Sequence, residues 1–411
     1  MNRWPLFLTL ASTVALAQGA DKAAPQPKLA VVPFAALSGD VPQRAGLKAA
    51  GMLSTEFKSS EAVQLVELKK DKASDPFTSS IDTARKAVEE AKGHRAQKKF
   101  RLADEALGRA VAAYRFAAGG VADIGEVVDA MALQSAVQFN TGRDEDGQKN
   151  LTAALALAPD RELPLAATSA LFARVVADTR KQVKEAQKGS MQLESTPSGA
   201  AVFVDGVPLG STPLLVREVP PGLHFWRILL PSGEQVGGAA DVVSAKTTRV
   251  TAAASTKDPE SRLLAQLSLN KLDGEVVTAA KEAAGAAQAD LVVFGALSRE
   301  GKGLALDSFL YSASSNEVRR LPRSTFDTEL LSAGMEFYNL AGQMVSKGIK
   351  AGEAVRLPMP VSPTFGSSGR KVAEARYGEK PGQDDTIDSG SEVKDEGARK
   401  PLEKRAPLKK K

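Results

Sequence analysis

Apolar residues fall in short runs near both ends of the chain and at helical spacing between them. Lys28-Leu29-Ala30-Val31-Val32-Pro33-Phe34 is a short apolar run closed by Pro33 and predicts a buried strand. Leu47, Met52, Leu53 and Phe57 follow at near-helical spacing, and Val63, Leu65 and Leu68 predict a second strand before Lys69-Lys70-Asp71-Lys72. From Ile81 to Gln187 the pattern is helical, with little Gly or Pro inside the segments, and Ala156-Leu157-Ala158-Pro159-Asp160 ends one helix at its proline. Pro259 to Gln288 is helical again. Asp290 to Gly295 predicts a buried strand, Gly301-Lys302-Gly303 a hairpin turn into Leu304–Tyr311, Glu317 to Leu321 a short strand, and Phe326 to Val345 a closing helix. From Pro358 onward large apolar residues are scarce and Pro, Gly, Ser and charges dominate. Such a segment cannot offset its ordering entropy and is expected to be disordered.

Between the helical region and the late strands the period changes to short strands with frequent turns. Val202-Phe203-Val204 runs into Asp205-Gly206, a strong hairpin signal because glycine takes the positive φ that the turn requires. Pro208 to Pro213, Pro220-Pro221-Gly222 and Ser232-Gly233 turn in succession, with Leu223 to Leu230 as the longest strand. This predicts a compact all-β unit.

Composition narrows the setting. The 411 residues are 43% hydrophobic and 25% charged, as in an ordinary soluble protein, and the net charge of +5 is spread without a basic stripe interleaved with aromatics. Nucleic-acid binding therefore has no support. Arg3, the apolar run Trp4–Leu16 and the small-x-small Ala15-Leu16-Ala17 read as a signal peptide cleaved after Ala17, and no later stretch is long and apolar enough to span a bilayer. The protein is expected to be exported, periplasmic or associated with the cell envelope. It has no cysteine, so its stability rests on packed cores without disulfides.

Three resemblances attach to these segments. Pro197-Ser198-Gly199-Ala200, Val202-Phe203-Val204-Asp205-Gly206, Gly210-Ser211-Thr212-Pro213 and Pro221-Gly222-Leu223-His224 resemble, in order, the signature of the PEGA domain family. That resemblance implies a small β-sandwich found mostly in extracytoplasmic and surface-associated bacterial proteins, and it implies no reaction. The small pairs Ala103/Ala110 and Gly147/Ala154 resemble the second helix of a tetratricopeptide repeat. The two copies lie 44 residues apart, with Gly119-Gly120 in the extra length, against a family period of about 34. An ordinary helical bundle with Ala-rich seams fits equally well. Lys28–Phe34 with Leu37-Ser38-Gly39-Asp40, and Ala289–Gly295 with its hairpin, resemble the two halves of TolB amino-terminal-like and curli-secretion-type periplasmic domains.

Candidate chemistry is sparse. His94 and His224 are the only histidines, too few for a multi-histidine metal site, and His94 sits among Lys92, Arg95, Lys98 and Lys99 on a solvated helix. Gly295 to Gly303 has a glycine-rich look after a strand. A phosphate loop needs four residues between its glycines and a Ser or Thr after the lysine, whereas this segment has five and then Gly303. Asp384-Asp385 lies in the expected tail, where nothing tunes a carboxylate. No catalytic, cofactor or metal residues are assigned. His224 and Trp226 share a strand face by alternation and form a candidate binding surface: an exposed Trp would be an anchor, a buried one core. Lys404, Arg405, Lys409, Lys410 and Lys411 form a candidate electrostatic tail, or a plain solubilising extension.

The expected architecture is multidomain α+β. A signal peptide (1–17) precedes a split α/β sandwich (28–70 and 260–348). The sandwich is interrupted by a tetratricopeptide-like helical region (78–188) and a PEGA-like β-sandwich (190–252), and a disordered basic tail (358–411) follows. Neither α/β half is large enough to bury a good core alone. The expected function is a non-enzymatic envelope scaffold that binds a protein partner or cell-wall polymer, its tail contacting an anionic surface such as peptidoglycan or lipid headgroups. The alternatives are a subunit of a trans-envelope export or motility assembly and, from another class, a cryptic hydrolase or nucleotide-binding enzyme.

Overall fold

The computed structural model describes residues 26–42, 44–60, 62–68, 77–255, 258–365 and 371–379. The expected signal peptide and the cluster Lys404, Arg405, Lys409, Lys410 and Lys411 lie outside these residues. In chain order, β1 (Lys28–Val31), β2 (Ala35–Ala36), α1 (Ala45–Ser60) and β3 (Gln64–Leu65) come first. The helices α2 (Thr78–Ala96), α3 (Phe100–Phe116), α4 (Ile124–Asn140), α5 (Asp144–Leu157) and α6 (Ala170–Glu185) follow. The β-module comprises β4 (Gly189–Thr196), β5 (Ala201–Val204), β6 (Val207–Ser211), β7 (Leu214–Val219), β8 (Gly222–Leu229), β9 (Gln235–Val242) and β10 (Thr247–Ala253). The later elements are α7 (Pro259–Ser268), α8 (Gly274–Ala287), β11 (Leu291–Glu300), β12 (Gly303–Ser312), β13 (Glu317–Arg320), β14 (Ser324–Asp327), α9 (Ala333–Lys347), β15 (Glu353–Ala354) and β16 (Ala373–Arg376). The chain is thus mixed α+β.

The first and the late segments share one sheet, ordered β15-β13-β12-β11-β1-β3, with β14 on β12 and β2 on β11. Leu29, Ala30 and Val31 pair in parallel with Leu291, Val292 and Val293. Both faces are covered: α1 and α9 pack through Leu53, Phe57, Phe337 and Leu340 on one side, and α7 and α8 through Leu263, Leu264, Val276 and Ala280 on the other. Covering both faces explains why β1 and β11 read as continuous apolar runs without alternation. The expected closing helix begins later than Phe326, because Ser324–Asp327 adds to β12 as β14 and the Asp327 carboxylate accepts from the N–H groups of Glu329, Leu331 and Ser332, holding a turn ahead of α9.

Two antiparallel hairpins, α2–α3 and α4–α5, precede α6. Small residues let them close: Ala103, Ala106 and Ala110 are buried on α3, and Gly147 lies against the Phe139 ring. Asp123 caps α4 by accepting from Gly125 N–H at 2.8 Å. The β-module stacks the sheet β6-β5-β8-β9 on β10-β4-β7-β16.

The presence of β16 corrects the expected disorder from Pro358. Met359, Val361 and Phe365 pack beside α7 and α8, and residues 373–376 pair in parallel with β7. Sheet addition satisfies the backbone, Ala373, Ala375 and Tyr377 turn alternately onto the β-core, and Glu374 and Arg376 pair outside with Arg217 and Glu218. The segment is ordered by its neighbours and not by hydrophobicity of its own.

Candidate binding groove between the helical hairpins and the β-module

Strand β8 turns one face to each of two cores. Leu223 and Phe225 enter the helical core with Ala156 and Leu157, while Ile228 and Trp226 pack on the β-core. Burying an apolar side chain of this size is worth about 1.5–3 kcal/mol, so these two residues fasten the module to α5. Glycines permit the approach. A Cβ on Gly119 would lie 2.7 Å from Gly237 Cα, and Gln235 Nε2 donates to the Gly119 carbonyl at 2.6 Å. The Gly119-Gly120 step that looked like surplus length in the helical pattern is the seat for β9.

At the root of this joint, Asp205, His224 and Tyr377 form a closed buried network. Asp205 and Gly206 both take positive φ, 49° and 80°, making the tight turn between β5 and β6. That turn aims the carboxylate inward, where Oδ1 accepts from Phe225 N–H at 2.8 Å and Oδ2 lies 2.6 Å from His224 Nδ1 and 2.8 Å from the Tyr377 hydroxyl. His224 Nε2 faces the Pro220 carbonyl at 2.7 Å. Both ring nitrogens therefore meet acceptors and both must donate, which requires the imidazolium form. Burial pulls the His224 pKa down, but the Asp205 charge and these hydrogen bonds outweigh it and the value rises. Burial, reinforced by the Asp205 charge, holds the Tyr377 hydroxyl protonated well above its ordinary range. The Tyr377 hydroxyl also lies 3.0 Å from the Leu157 carbonyl oxygen, so one side chain touches both the β-module and α5.

This geometry corrects the reading of His224 as surface: its exposure is 0%, and its polar atoms are consumed inside the fold. Trp226 is half-buried, its ring against Gly238, and belongs to the module's packing. Sequence reasoning took Asp205 only as a turn residue and missed Tyr377 altogether. The signal for Tyr377 was the period-two Ala373-x-Ala375-x-Tyr377 inside an otherwise polar stretch.

Other signature turns also meet neighbours. Ser198 Oγ donates to the Ala36 carbonyl at 2.6 Å, Gly199 abuts Ala36, the Pro213 carbonyl accepts from Ala373 N–H at 3.0 Å, and Gly222 faces Ala156. Gly295 to Gly303 is part of the β11–β12 hairpin: Gly301 turns with φ 58°, and Gly295 leaves room for the Asp307 carbonyl across the pair.

Where the module meets the hairpins, an open groove of about 880 Å³ runs along α5. Val111, Met131, Phe139 and Ala153 supply its apolar floor, Pro221, Gly222 and Leu223 its β-side wall, and Arg115, Lys149, Asp144, Glu145 and Asp241 a rim of both signs. No group of His, Asp and Glu side chains suited to a metal occurs among the described residues.

Residues 188–255 match the PEGA domain family. The match covers the β-module and is consistent with an extracellular or envelope-associated binding module. No curated protein and no solved structure matched the chain. No helix among the described residues is long and apolar enough to cross a membrane.

Proposed function

We propose that the chain is a non-enzymatic scaffold of the cell envelope that captures a protein partner in the groove shared by α3, α4, α5 and β8. One observation carries this reading: the groove takes one wall, Pro221 to Leu223, from the PEGA module, which packs on the hairpins through Leu223 and Phe225. A mixed-charge rim over an apolar floor suits a peptide segment, with burial supplying affinity and the rim supplying register. Export through the signal peptide places the protein outside the cytoplasm, and residues 28–70 with 260–348 act as one α/β domain that supports the rest. The tail lysines and arginine add an electrostatic contact to an anionic envelope surface. A role as subunit of an export or motility assembly is a special case of the same capture.

Affinity capture from solubilised envelopes with wild type and Thr152→Arg tests the reading. A partner retained by wild type and lost from a folded variant supports it. An identical retained set sinks it.

A further inference from the structure

Strand β16 sits on the rest of the protein as a bound peptide sits on its receptor. It is the outermost strand of its sheet and joins the ladder only through β7, in parallel, with Ala373, Glu374, Ala375 and Arg376 opposite Leu214, Leu215, Val216 and Arg217. Backbone contacts fix both ends: Gly39 N–H donates to the Lys371 carbonyl at 3.1 Å, Ala373 N–H to the Pro213 carbonyl at 3.0 Å, and Tyr377 N–H to the Arg217 carbonyl at 3.0 Å. Ala373 and Ala375 lie on the β-core. Tyr377 reaches past them to Asp205 Oδ2 and the Leu157 carbonyl, its ring edge-on to His224 with centroids 5.4 Å apart. On the outer face Arg217 donates to both carboxylate oxygens of Glu374 at 2.8 and 2.7 Å, and Arg376 donates to Glu218 at 2.7 Å. A bulge turns Glu218 to that partner: Gly189 pairs with Val219 and Ser190 with Arg217, which leaves Glu218 between them at φ 60°.

From this geometry we infer that the edge of β7, with the Asp205–His224 pocket at its end, is a strand-addition site for a protein partner, and that β16 is its built-in competitor. The ligand is an extended segment of the pattern small-acidic-small-basic-Tyr, running parallel to β7. In such additions main-chain hydrogen bonds supply affinity and alternate side-chain positions supply specificity. Each position has its reader on this edge: the β-core for the small residues, Arg217 for the acid, Glu218 for the base and Asp205 for the phenol. The chain's own strand holds the edge weakly enough to be displaced. Its ladder is four residues long, and both outer ion pairs are more than half exposed, where such pairs contribute little. Its hold comes from tethering. A tethered strand competes at an effective concentration on the order of 1 mM, so a free ligand with a Kd of about 30 μM is masked roughly thirtyfold. The site is a sheet edge and not the groove, so it stands or falls separately from capture there.

Fluorescence anisotropy of a labelled peptide of residues 371–379, titrated with the full chain, reads the addition. Ala375→Asp turns a charge toward the β-core and unseats β16 without altering β7, and Tyr377→Ala empties the pocket. Circular dichroism checks that each variant is folded. The peptide should bind both variants roughly thirtyfold more tightly than wild type, because the tethered strand no longer competes. Replacing the peptide's tyrosine by alanine should weaken binding at least about thirtyfold, the scale of a central interface residue. A peptide with Glu374→Arg should bind about fivefold more weakly and recover on a chain that also carries Arg217→Glu, which fixes the register. In wild type, millimolar peptide should displace β16 and accelerate hydrogen exchange at the chain's own residues 373–376 about tenfold. Unchanged exchange there overturns the inference whatever the variants do. So does a peptide that ignores the folded variants, binds them no better than wild type, or binds without its tyrosine. A wild-type dimer in sedimentation velocity that the peptide dissolves would assign the edge to a second copy of this chain instead.

Discussion

The Tyr377 hydroxyl lies 2.8 Å from Asp205 Oδ2, joining the β16 segment to the β5–β6 turn of the β-module. Because the same oxygen lies 3.0 Å from the Leu157 carbonyl oxygen, this contact holds β16, the module and α5 together at one point. Tyr377→Phe keeps the ring and removes the donor. It should lower unfolding free energy by about 1–3 kcal/mol, the cost of leaving a buried acceptor short of a partner. Hydrogen exchange at residues 373–376 should accelerate at the same time. A shift in neither quantity would show that the hydroxyl is dispensable.

The Asp205–His224 pair makes stability depend on pH in a definite direction. The His224 pKa is raised above its ordinary 6.5, so the folded state binds the proton more tightly than the unfolded chain. Its contribution is complete below about pH 6.5 and is lost as pH rises through the raised value. Denaturant midpoints should fall for wild type as pH rises above about 6.5. His224→Leu should cost about 3–5 kcal/mol at neutral pH, since it leaves the Asp205 carboxylate buried without its cation, and should flatten that decline. An unchanged slope in the variant would assign the pH dependence elsewhere.

Gly237 is required by space and not by backbone angle. Gly237→Ala would drive a methyl into Gly119 and the Trp226 carbonyl, at an overpacking cost of about 1–3 kcal/mol. Gly285→Ala on α8 meets nothing within 4 Å and should be neutral or stabilising by up to ~1 kcal/mol. Calorimetry on the two variants separates these cases; equal melting temperatures would contradict the tight seat.

The terminal cations give a salt-dependent prediction. Deleting residues 399–411 removes Lys404, Arg405, Lys409, Lys410 and Lys411 and should reduce co-sedimentation with envelope fragments at low salt. Added salt should bring wild type down to the level of the deletion. Partitioning that is insensitive to both salt and deletion rejects the tether.

Local signals were legible where the cause is local. The apolar runs 28–34 and 290–295 announced β1 and β11, and Asp205-Gly206 announced its turn, because periodicity and φ preference act within a few residues. The candidate site was not legible, because its causes are distant. His224 alternates with Trp226 as any strand residue would, and only the Asp205 carboxylate and the Pro220 carbonyl make it a buried cation. Gly119-Gly120 looked like surplus length until β9 occupied it. Tyr377 sat in a polar stretch whose order comes from an edge strand supplied elsewhere in the chain.

Site-specific photo-crosslinking in intact envelopes, with the probe at Thr152 in the groove or at the exposed Lys281 on α8, tests whether the groove captures a protein. A discrete protein adduct is expected from Thr152, lost when Lys149→Glu reverses a rim charge, and no such adduct from Lys281. The same adducts from both positions, or none from Thr152, would contradict capture in the groove.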